Sequence, residues 1–206
     1  MGRASTGMRL RHPDGQVFTF DAGALCLEFV YTGGEGARAR FEIFHEPADI
    51  ARWSVESRLD PAGHGVDPAD ISVSADDFRT LWRLREALWT LALGTVTGRP
   101  ADPDAVAIIN ELAAGAGPVP RLERGRAVWL RPVTGAQFAA EIARDAVRTF
   151  ADPDVARVRK CGAPDCYLIY VDTSRPGRRR WCSMQRCGNR HKVAEFRHRH
   201  DAREGA

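Results

Sequence analysis

The sequence predicts an α+β chain in two parts. Residues 1–154 form a mainly helical N-terminal domain with a small antiparallel β component, and residues 155–206 form a smaller unit built as knuckle, hairpin and helix. Three observations carry this. Capped segments with apolar residues at helical spacing dominate the first 150 residues. A few short runs of β-branched and aromatic residues read as strands. Four of the five cysteines, Cys161, Cys166, Cys182 and Cys187, then fall within 27 residues, after the breaker Ala151-Asp152-Pro153-Asp154.

Residues 17–20 read as a strand. The apolar run 24–31 fits strand or helix, since periodicity alone does not separate the two. Residues 38–44, "RARFEIF", alternate and predict a strand. Pro47 suits a first helical position, with Ile50, Trp53 and Val55 on one side of the helix that follows. Ser74 is an N-cap for the longest helix, 75–96. Asp76 and Asp77 favour its dipole, and Phe78, Leu81, Trp82, Leu84, Leu88, Leu91 and Ala92 give it an apolar face. Gly98-Arg99-Pro100 ends it. Asp102-Pro103 opens a helix to 114 with Val106, Ile108, Ile109 and Leu112 inside. Residues 121–133 predict a hairpin turning near Gly125. Thr134 caps a helix over 135–150, carrying Phe138, Ile142, Ala146, Val147 and Phe150.

At 44% hydrophobic and 28% charged residues, the 206-residue composition is that of a soluble globular protein. No apolar run approaches the ~18 residues of a membrane helix, and the first residues lack the apolar core of a secretory signal. A cytoplasmic protein with no membrane partner is expected. The net charge of +3 hides a division: residues 157–206 hold 13 Lys/Arg against 5 Asp/Glu, and residues 1–156 hold 17 against 22. A basic unit on an acidic body points to a nucleic-acid or other anionic partner. The body shows no Gly-rich phosphate loop, no G-x-S-x-G and no H-E-x-x-H, and His45 and His64 are isolated, so no enzyme is expected. The tryptophans 53, 82, 89 and 129 sit in amphipathic patterns and read as core.

Cys26, within "ALCLEFV", reads as a buried small hydrophobe. The other four cysteines form two C-x4-C pairs separated by 15 residues, the ligand pattern of a structural zinc site. Disulfides do not suit a chain without an export signal, and a redox C-x-x-C on a βαβ pattern is absent. Arginines beside a thiol would make it reactive, but four clustered thiols favour coordination. An iron–sulfur cluster is the remaining alternative for the same ligands. A unit of about 50 residues with few large apolar side chains needs such a staple to fold. With four thiolates and Zn²⁺ contributing −2, the unit stays basic. "YLIYVD" predicts a strand, 175–177 its turn and 179–181 the return. Ser183 caps a helix to about 199, placing Cys187 near its first turn. The arrangement is treble-clef-like, and loss of a ligand is expected to unfold this unit and spare the body.

"CYLIYVDTSRPGRRRWCSMQRCGNRHK" closely resembles the CGNR zinc finger, whose naming tetrapeptide stands here as Cys187-Gly188-Asn189-Arg190. The shared pattern takes in Asp172, Ser174-Arg175, Arg179-Arg180-Trp181-Cys182-Ser183 and Lys192. Tyr170 and Pro176 stand where Phe and Asn are usual. Such fingers follow an N-terminal domain called ABATE, a pair described by inference as a stress-induced transcription regulator. "LCLEFVYT" resembles the opening of that domain, with Glu28 and Tyr31 in place of Asp and Asn. The resemblance implies one structural zinc and suggests DNA.

A DNA surface would draw on Arg175, Arg178, Arg179 and Arg180 along the hairpin, and on Arg186, Arg190, Lys192, Arg197 and Arg199 along the helix. At 100° per residue Arg186, Arg190 and Arg197 share a stripe with Val193, so part of that stripe packs inward. Arg190 is a candidate internal partner for Asp172, and Trp181 a candidate to pack under the metal. Arg178, Lys192 and Arg197 are the expected contacts. The leading reading is a DNA-binding transcription regulator whose body senses a small-molecule effector or forms a homodimer. The alternative is a zinc-stabilised protein-interaction module.

Overall fold

The computed structural model describes residues 7–12, 14–152 and 157–204, with side chains to residue 197. The predicted boundary at 154 and the Arg199 side chain lie outside the described residues. The α+β class is as predicted. A hairpin of β1 (Met8–Arg11) and β2 (Val17–Phe20) leads into α1 (Leu25–Val30). Then come α2 (Pro47–Glu56), β3 (Ile71–Ser72), α3 (Ala75–Thr97) and α4 (Pro103–Ala113). A second hairpin, β4 (Pro120–Glu123) and β5 (Arg126–Trp129), precedes β6 (Val133–Thr134) and α5 (Gly135–Ala151). The finger contributes β7 (Val158–Lys160), β8 (Ile169–Val171) and α6 (Asn189–Glu204). The β component includes one parallel pair, β3 with β6.

Local chemistry explains the helices. The Ser74 hydroxyl accepts the Asp77 N–H while the Asp77 carboxylate accepts that of Ser74, and Thr134 and Gln137 repeat the exchange. Gly98 closes α3 in the left-handed conformation. Helices α3, α4 and α5 pack on one another, with α1 against α3 and α5. Leu81, Leu84, Leu88, Phe138 and Ile142 are fully buried between them, whereas Val147 is exposed. Trp53 is buried, and Trp82, Trp89 and Trp129 are half-buried. His64 stacks on Trp129 at 4.3 Å. Cys26 is buried at α1, and burial pushes its thiol well above the usual range, which fits an inert packing role.

Residues 38–44, predicted as a strand, form none: a 3-10 helix over Gly36–Phe41 takes up the first part of the segment instead. Alternation misled because the buried member of the segment is a charged one. Arg38 turns inward, donates to the Gly33 carbonyl at 3.1 Å and pairs with Glu86 on α3. A strand would project Arg38 and Arg40 to the same face. The helical turn separates them, leaving Arg40 exposed.

The finger docks on the body through one continuous core. Val158, Leu168, Ile169, Tyr170 and three zinc-site cysteines are buried together with the helices of the body, and β7 and β8 lie against α3. Val171 donates its N–H to the Ala22 carbonyl at 2.9 Å. Beside it Gly23, at φ 78, lets the chains approach; a Cβ there would lie 2.4 Å from the Val171 oxygen. Tyr31, one of the two departures in the N-terminal motif, buries its hydroxyl between the Ile169 N–H and the Tyr167 carbonyl. The other, Glu28, is buried beside Arg58 at 2.9 Å.

Candidate metal centre and nucleic-acid surface

The first knuckle is the loop of a hairpin. Lys160 pairs with Ile169 across β7 and β8, and the chain between them carries Cys161 and Cys166. The Cys161 N–H donates to the Leu168 carbonyl, and the Cys166 N–H to that of Ala163. This corrects the predicted hairpin, in which 179–181 would return along 167–172. Among the described residues, 179–181 form no strand. The buried Asp172 carboxylate takes the N–H groups of Ser174 (3.0 Å) and Arg179 (2.8 Å), doing for the turn what a ladder would have done. The Tyr170 hydroxyl donates to the Arg179 carbonyl at 2.8 Å, a tie that phenylalanine could not make. The chain then joins the knuckle itself, through the Gly162 N–H to the Arg180 carbonyl.

The second knuckle also departs from expectation. Residues Met184–Gly188 form a π-helical turn, with the Gly188 N–H donating back to the Ser183 carbonyl, and only then does α6 begin. Cys187 therefore precedes the α-helix, and Ser183 makes no side-chain cap. Arg186, within this wider turn, is buried, whereas Arg190 and Arg197 on α6 are exposed, and all three border one groove. Trp181 packs edge-on to His191 at 4.6 Å and lies over Gly162, against both knuckles.

All four predicted ligands converge. Their sulfurs lie within 4.8 Å of one another, with Cys166 to Cys182 at 3.7 Å and Cys182 to Cys187 at 3.5 Å. A tetrahedron with zinc–sulfur bonds of about 2.3 Å has edges of about 3.8 Å, so the donor set fits one zinc ion. A disulfide needs sulfurs near 2.05 Å. The thiols are also in conflict as they stand. Hydrogen bonding from Cys166 and its neighbours holds the Cys161 thiol far below its usual range, while Cys161 and the rest push Cys182 far above. A divalent cation lets all four ionise together. Four thiolates complete the coordination and leave no open position for water, so the ion's work is structural.

The predicted nucleic-acid residues divide. Arg175, Arg178, Arg180, Lys192 and Arg197 are exposed and have no ion-pair partner among the described residues. Arg190 is also exposed but pairs with Asp165 of the first knuckle at 2.5 Å, so Asp172 is not its partner. Arg179 points inward, stacked 4.0 Å from the Tyr170 ring, and donates to the carbonyls of Trp181 (3.0 Å), Cys182 and Asp21 (2.9 Å). Arg186 is 4% exposed, lies over Phe18, and donates to Asp14 (3.0 Å) and Gln16 (2.6 Å) on the first hairpin. Gln185 adds to that strap, accepting the Thr19 N–H. The Gln16 N–H, together with Arg186, lowers the Asp14 carboxyl to about 2. The Asp14 arm of the strap is therefore complete above the ordinary carboxylate range and is lost as pH falls toward 2, while the Gln16 and Gln185 contacts do not titrate. Arg179 and Arg186 thus act as struts within the fold. Their burial was unreadable because their partners are backbone carbonyls, or residues about 170 positions away.

Residues 23–153 match the family model ABATE, described as "Putative stress-induced transcription regulator", and residues 157–200 match that of the CGNR zinc finger. No curated protein matches the chain. No helix among the described residues is long and apolar enough to cross a membrane. With 131 of its residues under the first of these models and four cysteines set around one zinc position under the second, the chain belongs to the ABATE family and carries a CGNR zinc finger.

Proposed function

We propose that the protein is a DNA-binding transcription regulator, not an enzyme, in which the finger contacts the DNA backbone and the body senses a signal and brings two copies together. The observation that carries this is the division of cations. The finger's acids are engaged at Asp165, Asp172 and, beside His191, Glu195. Arg175, Arg178, Arg180, Lys192 and Arg197 keep their charge for a partner. A groove of about 730 Å³ lies between the first knuckle and α6, with Arg180, Arg190 and Arg197 along it. Zinc and the Asp172 turn hold this edge rigid, so binding costs little ordering. One finger carries few contacts, which favours a two-fold dimer on paired half-sites.

Fluorescence anisotropy of the zinc-loaded full chain on duplex DNA, titrated with salt, tests the reading. Five phosphate contacts give log K against log[salt] a slope of about −4 to −5 per finger. Arg178→Ala and Arg197→Ala should each make that slope shallower by about 1, with the loss uniform across sequences. Arg186→Ala should do the opposite, leaving the slope unchanged while lowering the melting temperature and speeding hydrogen exchange in β1 and β2. Absence of binding at low salt would end the DNA reading. A ratio of specific to random DNA near one would reduce it to general phosphate attraction. One feature favours the protein-interaction reading: Val193 and Phe196 are 48% and 62% exposed on the same helix. Binding to a protein partner through them would be weakened by Val193→Ser and only weakly dependent on salt.

A further inference from the structure

We propose that a cavity between body and finger binds a small uncharged aromatic compound, and that the compound, once bound, pins the finger to the body. The cavity has a volume of about 510 Å³, within the range of small-molecule sites, about 300–1,000 Å³. Its walls come from both units. Tyr31, Phe41 and Trp89 line it from the body and Tyr167 from the finger, while the zinc ligands Cys166 and Cys187 form part of the same lining. Phe41 and Trp89 are only half-buried and Tyr167 is 51% exposed, so ring surface is available to a ligand.

The charges in the lining select the class. Arg38 is committed to Glu86 and lies 4.8 Å over the Trp89 ring. Arg190 is committed to Asp165, and Arg186 to Asp14. Of the other titratable side chains in the lining, His12 lies 3.1 Å from Asp14, and Arg40 and Glu35 are exposed and of opposite sign. A phosphate or other multiply charged anion would find only Arg40 outside an ion pair, with Glu35 opposing it, and would have to break an existing pair to gain a second counter-charge. An uncharged ring system breaks none and covers apolar surface on both walls. A ligand that touches Trp89 of α3 and the zinc knuckle at once binds only the docked arrangement, and so stabilises it. The site stands whether or not the finger binds DNA.

The test uses N-phenyl-1-naphthylamine, an uncharged three-ring fluorophore, and 8-anilino-1-naphthalenesulfonate, the same skeleton with a sulfonate. Titrated into zinc-loaded full-length protein, the first should saturate at one probe per chain and bind about tenfold more tightly than the second. Thr90→Trp places an indole into the cavity from the exposed side of α3. It should weaken the first probe about tenfold, with far-UV dichroism and zinc content unchanged. Ala37→Trp does the same from the opposite wall, and serves if the first variant fails to fold. Bound probe should also slow zinc transfer to the chelator 4-(2-pyridylazo)resorcinol by about threefold or more. Four results would overturn the proposal: no saturable binding, equal affinity for the sulfonate, equal affinity in the folded tryptophan variants, or an unchanged rate of zinc transfer.

Discussion

Cys182→Ser is expected to abolish stoichiometric zinc binding and to lower the stability of the whole molecule, body included. Cys182 is 1% exposed, and its sulfur lies between those of Cys166 and Cys187. A hydroxyl there is a poor zinc ligand, and a structural zinc is worth on the order of 10 kcal/mol to a small finger. The sequence alone suggested that this loss would stop at the breaker near residue 154. The shared core says otherwise, because Leu168, Ile169 and Tyr170 are buried with the body helices and Tyr31 spends its hydroxyl on the finger backbone. Unfolding the finger uncovers that face of α3. A domain of this size stands only about 5–15 kcal/mol above its unfolded state. Calorimetry should show the body melting more than about 10 °C lower, and limited proteolysis should cut on both sides of the breaker. A body with unchanged melting temperature beside a digested finger would mean that the interface adds no stability.

The metal site was legible because its signal is local: two close thiol pairs declare a ligand set without reference to the rest of the chain. The long helices were legible for the same reason, since Ser74, Asp102 and Thr134 cap them and their apolar spacing is regular. What the sequence hid was long-range or irregular. The π-helical turn at Met184–Gly188 interrupts the helix that the spacing predicts from Ser183 onward. The inward turn of Arg179 depends on the carbonyls of Trp181, Cys182 and Asp21, which carry no side-chain signature. The residues at 38–44 looked like a strand because buried and exposed positions were assigned by polarity, and Arg38 inverts that rule. A signal for such inversion did exist elsewhere. On α3, Leu81, Arg85, Leu88 and Ala92 fall within about 60° of one another at 100° per residue, so a charge stands on the apolar side of the helix. A charge so placed needs a partner brought to it.

That partner is Glu42, and breaking the pair is expected to be the largest loss after that of the metal. Arg85 is 0% exposed and donates to both Glu42 oxygens, at 3.1 and 2.7 Å, and to the Thr32 hydroxyl at 3.2 Å. Its guanidinium lies 4.2 Å over the Trp82 ring. Burial alone would raise the Glu42 carboxyl, but Arg85 and the N–H groups of Phe44 and Gly34 outweigh it and hold the carboxyl below its usual range. The pair thus fixes the chain that turns from Gly34 to Phe44 against the central helix, and that chain carries Phe41 of the interdomain cavity. Arg85→Met keeps the bulk and removes the charge, leaving Glu42 partly buried without its counter-ion, at a cost of about 3–5 kcal/mol. Glu42→Gln strands the guanidinium instead and should cost a similar amount, about 3–5 kcal/mol. The double variant leaves neither charge behind, and Gln can still accept from the Gly34 N–H. It should be more stable than the sum of the two single losses by about 2 kcal/mol or more, read from urea midpoints at equal m-values. Additive losses would show that Arg85 acts by filling space beside Trp82, with the charge contributing nothing. Because the carboxyl is depressed, the pair's contribution is fully present above the ordinary glutamate range. The wild type should therefore lose stability as pH falls through the lowered value, and Glu42→Gln should be flatter over that interval.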